Sequence, residues 1–126
     1  RLRGPDFEWE GKLVALAVGN GRQAGGGILL CPEALVDDGL LEVVVLPDVP
    51  QEQVSDKLRA LVSEGHAAIE REVVSARLPW VEVEVPSGLH VNLDGEPIKD
   101  TTFRFETHRH WLRFHLPDDS PVLTSQ

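Results

Sequence analysis

The segment WVEVEV, from Trp80 to Val85, alternates apolar and acidic residues with a period of two. Successive side chains of a β-strand point to opposite faces, so this pattern predicts a strand with three buried valines and with Glu82 and Glu84 in solvent. Segments rich in β-branched, leucine and aromatic residues predict further strands at Leu40–Leu46, Ile69–Leu78, Phe103–Thr107 and His110–Leu116. Turn signals such as Asp-Gly and Pro-Ser-Gly separate them. The chain is therefore predicted to be mainly β.

One helix is predicted, from about Pro50 to Gly65, with the glycine ending it. Apolar residues spaced three or four apart would form its buried stripe: Val54, Leu58, Leu61 and Val62. A lone helix among short strands does not supply the crossovers of repeated βαβ units, so the predicted fold is an antiparallel β-sandwich or barrel. The 126 residues suffice for one domain, spanning 1–126.

The segment GNGRQA, residues 19–24, matches the dinucleotide-binding pattern G-x-G-x-x-G/A and follows the apolar run LVALAV. A nucleotide site of that type requires a helix directly afterwards, because the helix N-terminus holds the pyrophosphate. Three glycines and soon a proline follow instead, and these residues oppose a helix. The pattern is therefore not interpreted as a Rossmann site.

Charge and cysteine content exclude several classes of protein. The net charge of −9 argues against nucleic-acid binding and against purely electrostatic docking to anionic lipid, since both depend on clustered Lys and Arg. Contact with a membrane through apolar surface stays open. The single Cys31 cannot form an internal disulfide, and no apolar run is long enough for a spanning helix, which favours a soluble intracellular setting. The absence of methionine and the polar opening RLRGPDFEWEGK are interpreted as a fragment or a processed chain.

Two acidic turns are candidate sites. In HVNLDGEPI, Val91 and Leu93 are assigned to the apolar face, which leaves Asp94 and nearby Glu96 able to abstract a proton or hold a divalent cation. The pattern alone is more typical of a tight Asp94-Gly95 hairpin turn. The same holds for Asp37-Asp38-Gly39, where one carboxylate with backbone carbonyls could bind Mg²⁺ or Ca²⁺.

Histidines offer a weaker metal candidate. His108 and His110 could place two imidazoles on one face of a strand. Zinc sites need three or four protein ligands, and the sequence indicates no third one. A zinc site is therefore the less favoured interpretation.

Three motifs occur in a fixed order: GNGRQAGGG, then P-x-A-L-x-x-D-G-L-L from Pro32 to Leu41, then NLDGEP from Asn92. Together they resemble the C-terminal half of the bacterial YegS-like lipid kinases, members of the diacylglycerol kinase catalytic-domain family. The resemblance runs from about Gly11 to Leu123. It implies an antiparallel β-sandwich joined, in the complete protein, to an N-terminal α/β domain with a Gly-Gly-Asp-Gly-Thr nucleotide loop that this chain lacks.

The resemblance also implies roles for particular residues. Asp94 corresponds to the family's proton acceptor, and Glu96 is an acidic residue of the same motif. Leu35 and Leu40 would offer backbone carbonyls, and Asp38 its carboxylate, to a structural or regulatory Mg²⁺.

The implied activity is ATP-dependent phosphorylation of the hydroxyl of diacylglycerol, phosphatidylglycerol or a similar lipid, in phospholipid metabolism. ATP would bind mainly to the N-terminal domain of the same polypeptide, so the fragment alone is expected to be inactive. The expected location is the cytoplasm, with transient contact at the inner membrane face left open. Two alternatives remain: a non-catalytic β-sandwich that binds a lipid or a partner, and a related kinase of a sphingoid base or NAD. Residues 117–126 are expected to be loose or to pack on the missing domain.

Overall fold

The computed structural model describes residues 1–64 and 66–124. Its strands are β1 Leu2–Gly4, β2 Phe7–Trp9, β3 Leu13–Gly19, β4 Gln23–Ala24, β5 Ile28–Leu29, β6 Leu41–Pro47, β7 Val74–Leu78, β8 Trp80–Leu93 and β9 Glu96–Glu106. The helix α1 spans Gln51–Glu64, and a short 3₁₀ helix follows at His66–Ala68.

The strands form two main sheets in which every neighbouring pair is antiparallel. One sheet has the order β2-β1-β8-β9 and the other the order β3-β6-β7, while β4 and β5 form a small ribbon of their own. The predicted fold, a mainly β antiparallel sandwich with one α-helix, is confirmed.

The core lies between the inner faces of the two sheets. Its buried residues come from β1, β6, β7 and β8: Leu2, Val43, Val45, Leu78, Val81 and Val83. On the outer face of β8, Glu82 instead pairs with Arg3 and Arg104. The period of two in WVEVEV therefore predicted correctly which side chains are buried.

Strand β6 is buried on both faces, from Leu41 to Leu46. Its second face is covered by the segment after β5, where Cys31 and Ala34 pack against Val44. Burial, helped by the charge of Glu42, raises the pKa of the Cys31 thiol to about 12. This thiol is therefore protonated at neutral pH and packs as a small apolar side chain.

The side chain of Glu42 is the main charged group enclosed by this second layer. Glu42 is 2% exposed, and its Oε2 accepts a hydrogen bond of 2.7 Å from the backbone N–H of Glu33. Burial raises the pKa of the carboxyl above its ordinary value of 4.5, while this N–H bond and nearby His66 oppose the rise.

The raised pKa predicts a pH dependence of stability. The folded chain holds the proton more tightly than the unfolded chain, so the stabilisation is greatest below about pH 4.5 and is lost as pH rises through the folded pKa. Glu42→Gln keeps an acceptor for the N–H and should flatten the pH dependence of the free energy of unfolding, measured by urea denaturation. Glu64→Gln, at an exposed glutamate of α1, is the control. Parallel pH curves for the wild type and Glu42→Gln would contradict this assignment.

Two predicted strands are wrong in whole or in part. Residues 110–116 contain turn, bend and coil and are exposed, because no strand of the described residues pairs with them. The segment Ile69–Leu78 is a strand only from Val74. Its first residues form turns after the 3₁₀ helix, because that path buries Ile69 against the second face of the β3-β6-β7 sheet. The strand predicted at Phe103–Thr107 is the end of the longer β9.

The helix is confirmed at Gln51–Glu64, but its predicted stripe is not buried. Val54 and Leu61 are half-buried, whereas Leu58 and Val62 are exposed. The main contacts of α1 are with the 3₁₀ helix and β5, and Leu61 lines a small cavity over β3 and β6. The predicted end at Gly65 lies outside the described residues. In the described part of the chain, no helix combines the length and apolar character needed to cross a bilayer.

The glycine-rich segment forms strands and turns, as expected. Gly19 ends β3, residues 25–27 form a turn, and β4 and β5 pair across it. Arg22 holds this loop to the next one: its Nε donates to the Ala34 carbonyl at 3.2 Å, and its own carbonyl accepts from Leu30 and Cys31. The loop therefore closes the second layer over β6.

Candidate functional site

The NLDGEP motif forms the tip of the long β8–β9 hairpin. Leu93 pairs with Glu96, and Asp94 and Gly95 form the two-residue turn between them. Both turn residues have positive φ, 47° and 102°, as the two-residue turns favoured in hairpins require. Asn92 fixes the turn, because its Oδ1 accepts a 2.7 Å hydrogen bond from the Gly95 N–H. The Asp-Gly pair is thus a turn whatever further role Asp94 has.

This tip projects from the sandwich as an arm. The β8–β9 pairing is irregular between Glu84 and Leu89, and beyond that point most residues are exposed. Leu93 and Ile98, on the assigned apolar side, are exposed as well, so this apolar face of the arm is not buried. A two-stranded arm has no second layer to cover either face.

Asp94 and Glu96 are exposed on the arm. Across residues 1–64 and 66–124, neither carboxylate makes a hydrogen bond or an ion pair with another residue. Asp94 is therefore oriented by its backbone turn alone, and its side chain is accessible to a ligand. The described residues do not enclose it, so any cleft around it must be completed from elsewhere.

The acidic turn before β6 is tightly held. One oxygen of Asp38 accepts a 2.8 Å hydrogen bond from the Leu40 N–H, and the other pairs with Arg77 on β7. Arg109 donates to the Asp38 carbonyl and lies directly over Gly39, where any larger side chain would collide with it. Two guanidinium groups therefore flank the proposed cation site.

The C-terminal residues also pack on this turn. Asp37 accepts hydrogen bonds of 2.9 and 2.7 Å from the backbone N–H and the hydroxyl of Thr124. These bonds lower the pKa of the Asp37 carboxyl. The Val36 N–H donates to the Val122 carbonyl at 2.9 Å. The expectation of a loose tail is therefore wrong for residues 122–124, and residues 125 and 126 lie outside the described residues.

The two acidic turns lie at opposite ends of β9. Asp94 lies two residues before β9 begins at Glu96. At the other end, Thr107 follows the last residue of β9 and donates a 2.7 Å hydrogen bond to the Gly39 carbonyl. A straight strand rises about 3.3 Å per residue, so Glu96 and Glu106 lie up to roughly 33 Å apart. The structure thus brings Asp38 and Leu40 together, with Leu35 in the same loop, and holds Asp94 apart from them.

The histidine pair does not have the geometry of a strand. His108 pairs with Glu106 at 3.1 Å and stacks on Trp111, while His110 has a positive φ of 63° in a turn. The expected placement of both imidazoles on one strand face is wrong, because β9 ends at Glu106.

Sequence reasoning missed Arg77, Arg109 and Thr124 as partners of the acidic turn. Arg77 lies 39 residues after Asp38, and Thr124 lies 87 residues after Asp37. No local pattern signals such pairs. The only available signal was the excess of acidic residues, which makes each arginine a candidate partner.

Comparisons with known proteins settle the family. Residues 1–115 match the family described as "YegS C-terminal NAD kinase beta sandwich-like domain". The chain belongs to the YegS C-terminal domain family. A relative from Pseudomonas fluorescens (strain Pf0-1), named "Probable lipid kinase YegS-like", is 56% identical over 124 residues, which cover 98% of this chain and 40% of the relative. One of the same name from Stenotrophomonas maltophilia (strain K279a) is 50% identical over 123 residues, with the same coverage of both chains.

The YegS-like chain also resembles a solved structure in fold. A crystal structure of a "putative diacylglycerol kinase" from Bacillus anthracis (strain Sterne) aligns with a TM-score of 0.67 and 19% identity, covering 86% of this chain and 34% of that one. This likeness supports the shared sandwich fold. The chain spans about 40% of the length of the curated relatives that it matches.

Proposed function

We propose that this chain is the C-terminal, acceptor-side domain of an ATP-dependent lipid kinase, and that Asp94 is its proton acceptor. The observation that carries the proposal is the position of Asp94: it lies at the tip of a projecting arm, fixed by its turn and accessible on its side chain. The names of the relatives support the lipid kinase class.

Phosphoryl transfer requires from this domain a carboxylate that is correctly positioned to accept the proton of the lipid hydroxyl. Transfer of a γ-phosphoryl group needs the lipid hydroxyl aligned with the phosphate. Its proton is accepted as the new O–P bond forms and as the bond between the γ-phosphorus and the ADP leaving group breaks. Asp94 would take that proton, and Glu96, two residues further on, adds negative charge beside it. The N-terminal domain of the longer polypeptide would bind ATP and close the cleft over the arm. ATP as co-substrate favours the cytoplasmic face of the membrane.

The substrate is tested with the longer polypeptide, ATP and a panel of acceptors. We expect phosphorylation of a lipid alcohol such as diacylglycerol or phosphatidylglycerol, and none by the 126-residue chain alone. If only a sphingoid base or NAD is phosphorylated, the proposed acceptor class is wrong and the protein is a kinase of that other alcohol. Lipid binding without any transfer would favour the non-catalytic binding module.

We also propose Mg²⁺ as a structural ion at the acidic turn. Carboxylate and carbonyl oxygens are the ligands that Mg²⁺ prefers, so Asp38, Leu35 and Leu40 fit the ion in kind. The ion would have to share the Asp38 carboxylate with Arg77. Because the turn lies at the far end of β9 from Asp94, a bound ion would stiffen the turn rather than contact the transferred phosphoryl group.

The ion is tested by thermal melting of the 126-residue chain with and without Mg²⁺. At about a hundredfold excess over its Kd the ion should stabilise the wild type by about 2.7 kcal/mol, which raises Tm by on the order of 10 °C. Asp38→Asn should lose this rise, and Arg77→Met should keep it, because that change removes the competing guanidinium. Asp37→Asn is the neighbouring control. A metal-insensitive Tm in both the wild type and Arg77→Met would exclude the site.

A further inference from the structure

An apolar surface lies open near the C-terminus. Trp111, Leu112 and Phe114 are 76%, 77% and 72% exposed, and Leu116 is exposed as well. Single exposed apolar residues are normal on a protein surface, whereas a contiguous group of them marks a contact with a partner. We call residues 108–116 the aromatic segment.

The aromatic segment forms one wall of a groove of about 650 Å³. The apolar residues on the other side come from the acidic turn, the start of β6 and the C-terminus: Val36, Leu41, Val122 and Leu123. The groove lies at the Glu106 end of β9, opposite the end that follows Asp94. It is therefore separate from the proposed catalytic position.

The charge of the aromatic segment differs from that of the rest of the chain. Its sequence, HRHWLRFHL, contains two arginines, three histidines and no acidic residue, although the chain carries a net charge of −9. Arg109 and His108 are engaged by the Asp38 carbonyl and by Glu106. Within the part of the chain that the structure describes, Arg113 makes no hydrogen bond or ion pair. The segment therefore offers a basic group beside its apolar side chains.

We propose that the aromatic segment docks on the surface of an anionic lipid bilayer. Tryptophan and phenylalanine are suited to the boundary between headgroups and acyl chains, and a neighbouring arginine can bind lipid phosphate. The phosphate layer of an anionic bilayer supplies a counter-charge for Arg113 wherever the aromatic segment lands, and this charge complementarity favours a bilayer as the occupant. The choice of a bilayer rests on the proposed function in one respect: a kinase of lipids must reach its acceptor there.

The first test is co-sedimentation of the 126-residue chain with vesicles of phosphatidylcholine alone or with phosphatidylglycerol added. We expect binding that requires phosphatidylglycerol and weakens with salt. The double variant Trp111→Ser/Phe114→Ser should bind at least about tenfold more weakly, because both aromatic groups leave the interface. Arg113→Gln should bind about fivefold more weakly, since one basic residue near an anionic surface contributes about 1 kcal/mol.

Two exposed residues of α1 give matched controls. Val62→Ser removes an exposed apolar side chain, and Arg59→Gln removes an exposed arginine, both away from the groove. Both should bind vesicles like the wild type, and all variants should melt near the wild-type Tm. Equal sedimentation with the two kinds of vesicle, or unchanged binding by the double aromatic variant, would overturn the proposal.

The second test separates a bilayer from a protein partner. If the longer polypeptide fails to bind phosphatidylglycerol vesicles and shields Trp111 from acrylamide quenching, then the rest of the polypeptide covers the segment and the proposal is wrong. We expect the longer polypeptide to bind phosphatidylglycerol vesicles as the 126-residue chain does. Asp94→Asn should bind vesicles like the wild type, because Asp94 lies away from the aromatic segment. Vesicle binding therefore tests this proposal even if Asp94 proves not to be the proton acceptor.

Discussion

Replacing Asp94 by asparagine in the longer polypeptide is expected to lower kcat by ~10²–10⁴, the usual contribution of a general base. Asparagine keeps the size of the side chain and tolerates the positive φ of 47° at this turn, so the hairpin should persist. The loss would therefore come from the missing proton acceptor. Steady-state phosphorylation of the preferred lipid, at saturating ATP, measures it.

Asp100→Asn is the matched control for this experiment. Asp100 is an exposed carboxylate on the same arm, and its contacts are local, to Thr101. Its replacement should leave kcat within about threefold of the wild type. If Asp94→Asn also stays within that range while thermal melting shows a folded protein, Asp94 is not the proposed base.

Leu2→Ala should have the largest effect on stability, a loss of about 2–5 kcal/mol in the free energy of unfolding. Leu2 is fully buried although it belongs to a strand of only three residues. It packs between the two sheets in the cluster that contains Val43 and Val81. Truncation would leave a cavity at the point where β1 joins the sheet, and urea denaturation followed by circular dichroism would measure the loss.

Val62→Ala provides the comparison, because Val62 is an apolar residue that the fold leaves exposed on α1. This substitution should change the free energy of unfolding by no more than about 0.5 kcal/mol. A near-neutral Leu2→Ala would mean that β1 does not contribute to the core, and the four-stranded sheet would then lack its link between β2 and β8.

Local features of this fold could be predicted because they depend on neighbouring residues. The alternation around Val81 and Val83 fixed their burial, since a strand turns every second side chain to one face. The Asp94-Gly95 pair predicted its hairpin turn, because both positions need positive φ. The glycines after Ala24 excluded a helix for a similar reason. The resemblance of three motifs predicted the family, which the comparisons confirmed.

Pairing partners far apart in the chain could not be predicted in this way. The segment from His110 has the composition of a strand, but strand formation needs a neighbour with open hydrogen-bonding groups, and the described residues provide none. The stripe on α1 has helical spacing, but the helix packs beside the ribbon, so half of the stripe stays exposed. Periodicity specifies which residues share a face and leaves open whether anything covers that face.

Local patterns in the chain thus specify the alternation of β8, the Asp94-Gly95 turn and the family. The folded arrangement was needed to show that Glu42 is enclosed, that Arg77 pairs with Asp38, and that Asp94 lies at the far end of β9 from that pair. The physical reason is range: backbone conformation and face alternation follow from adjacent residues, whereas burial and ion pairing depend on which distant segments the fold brings into contact.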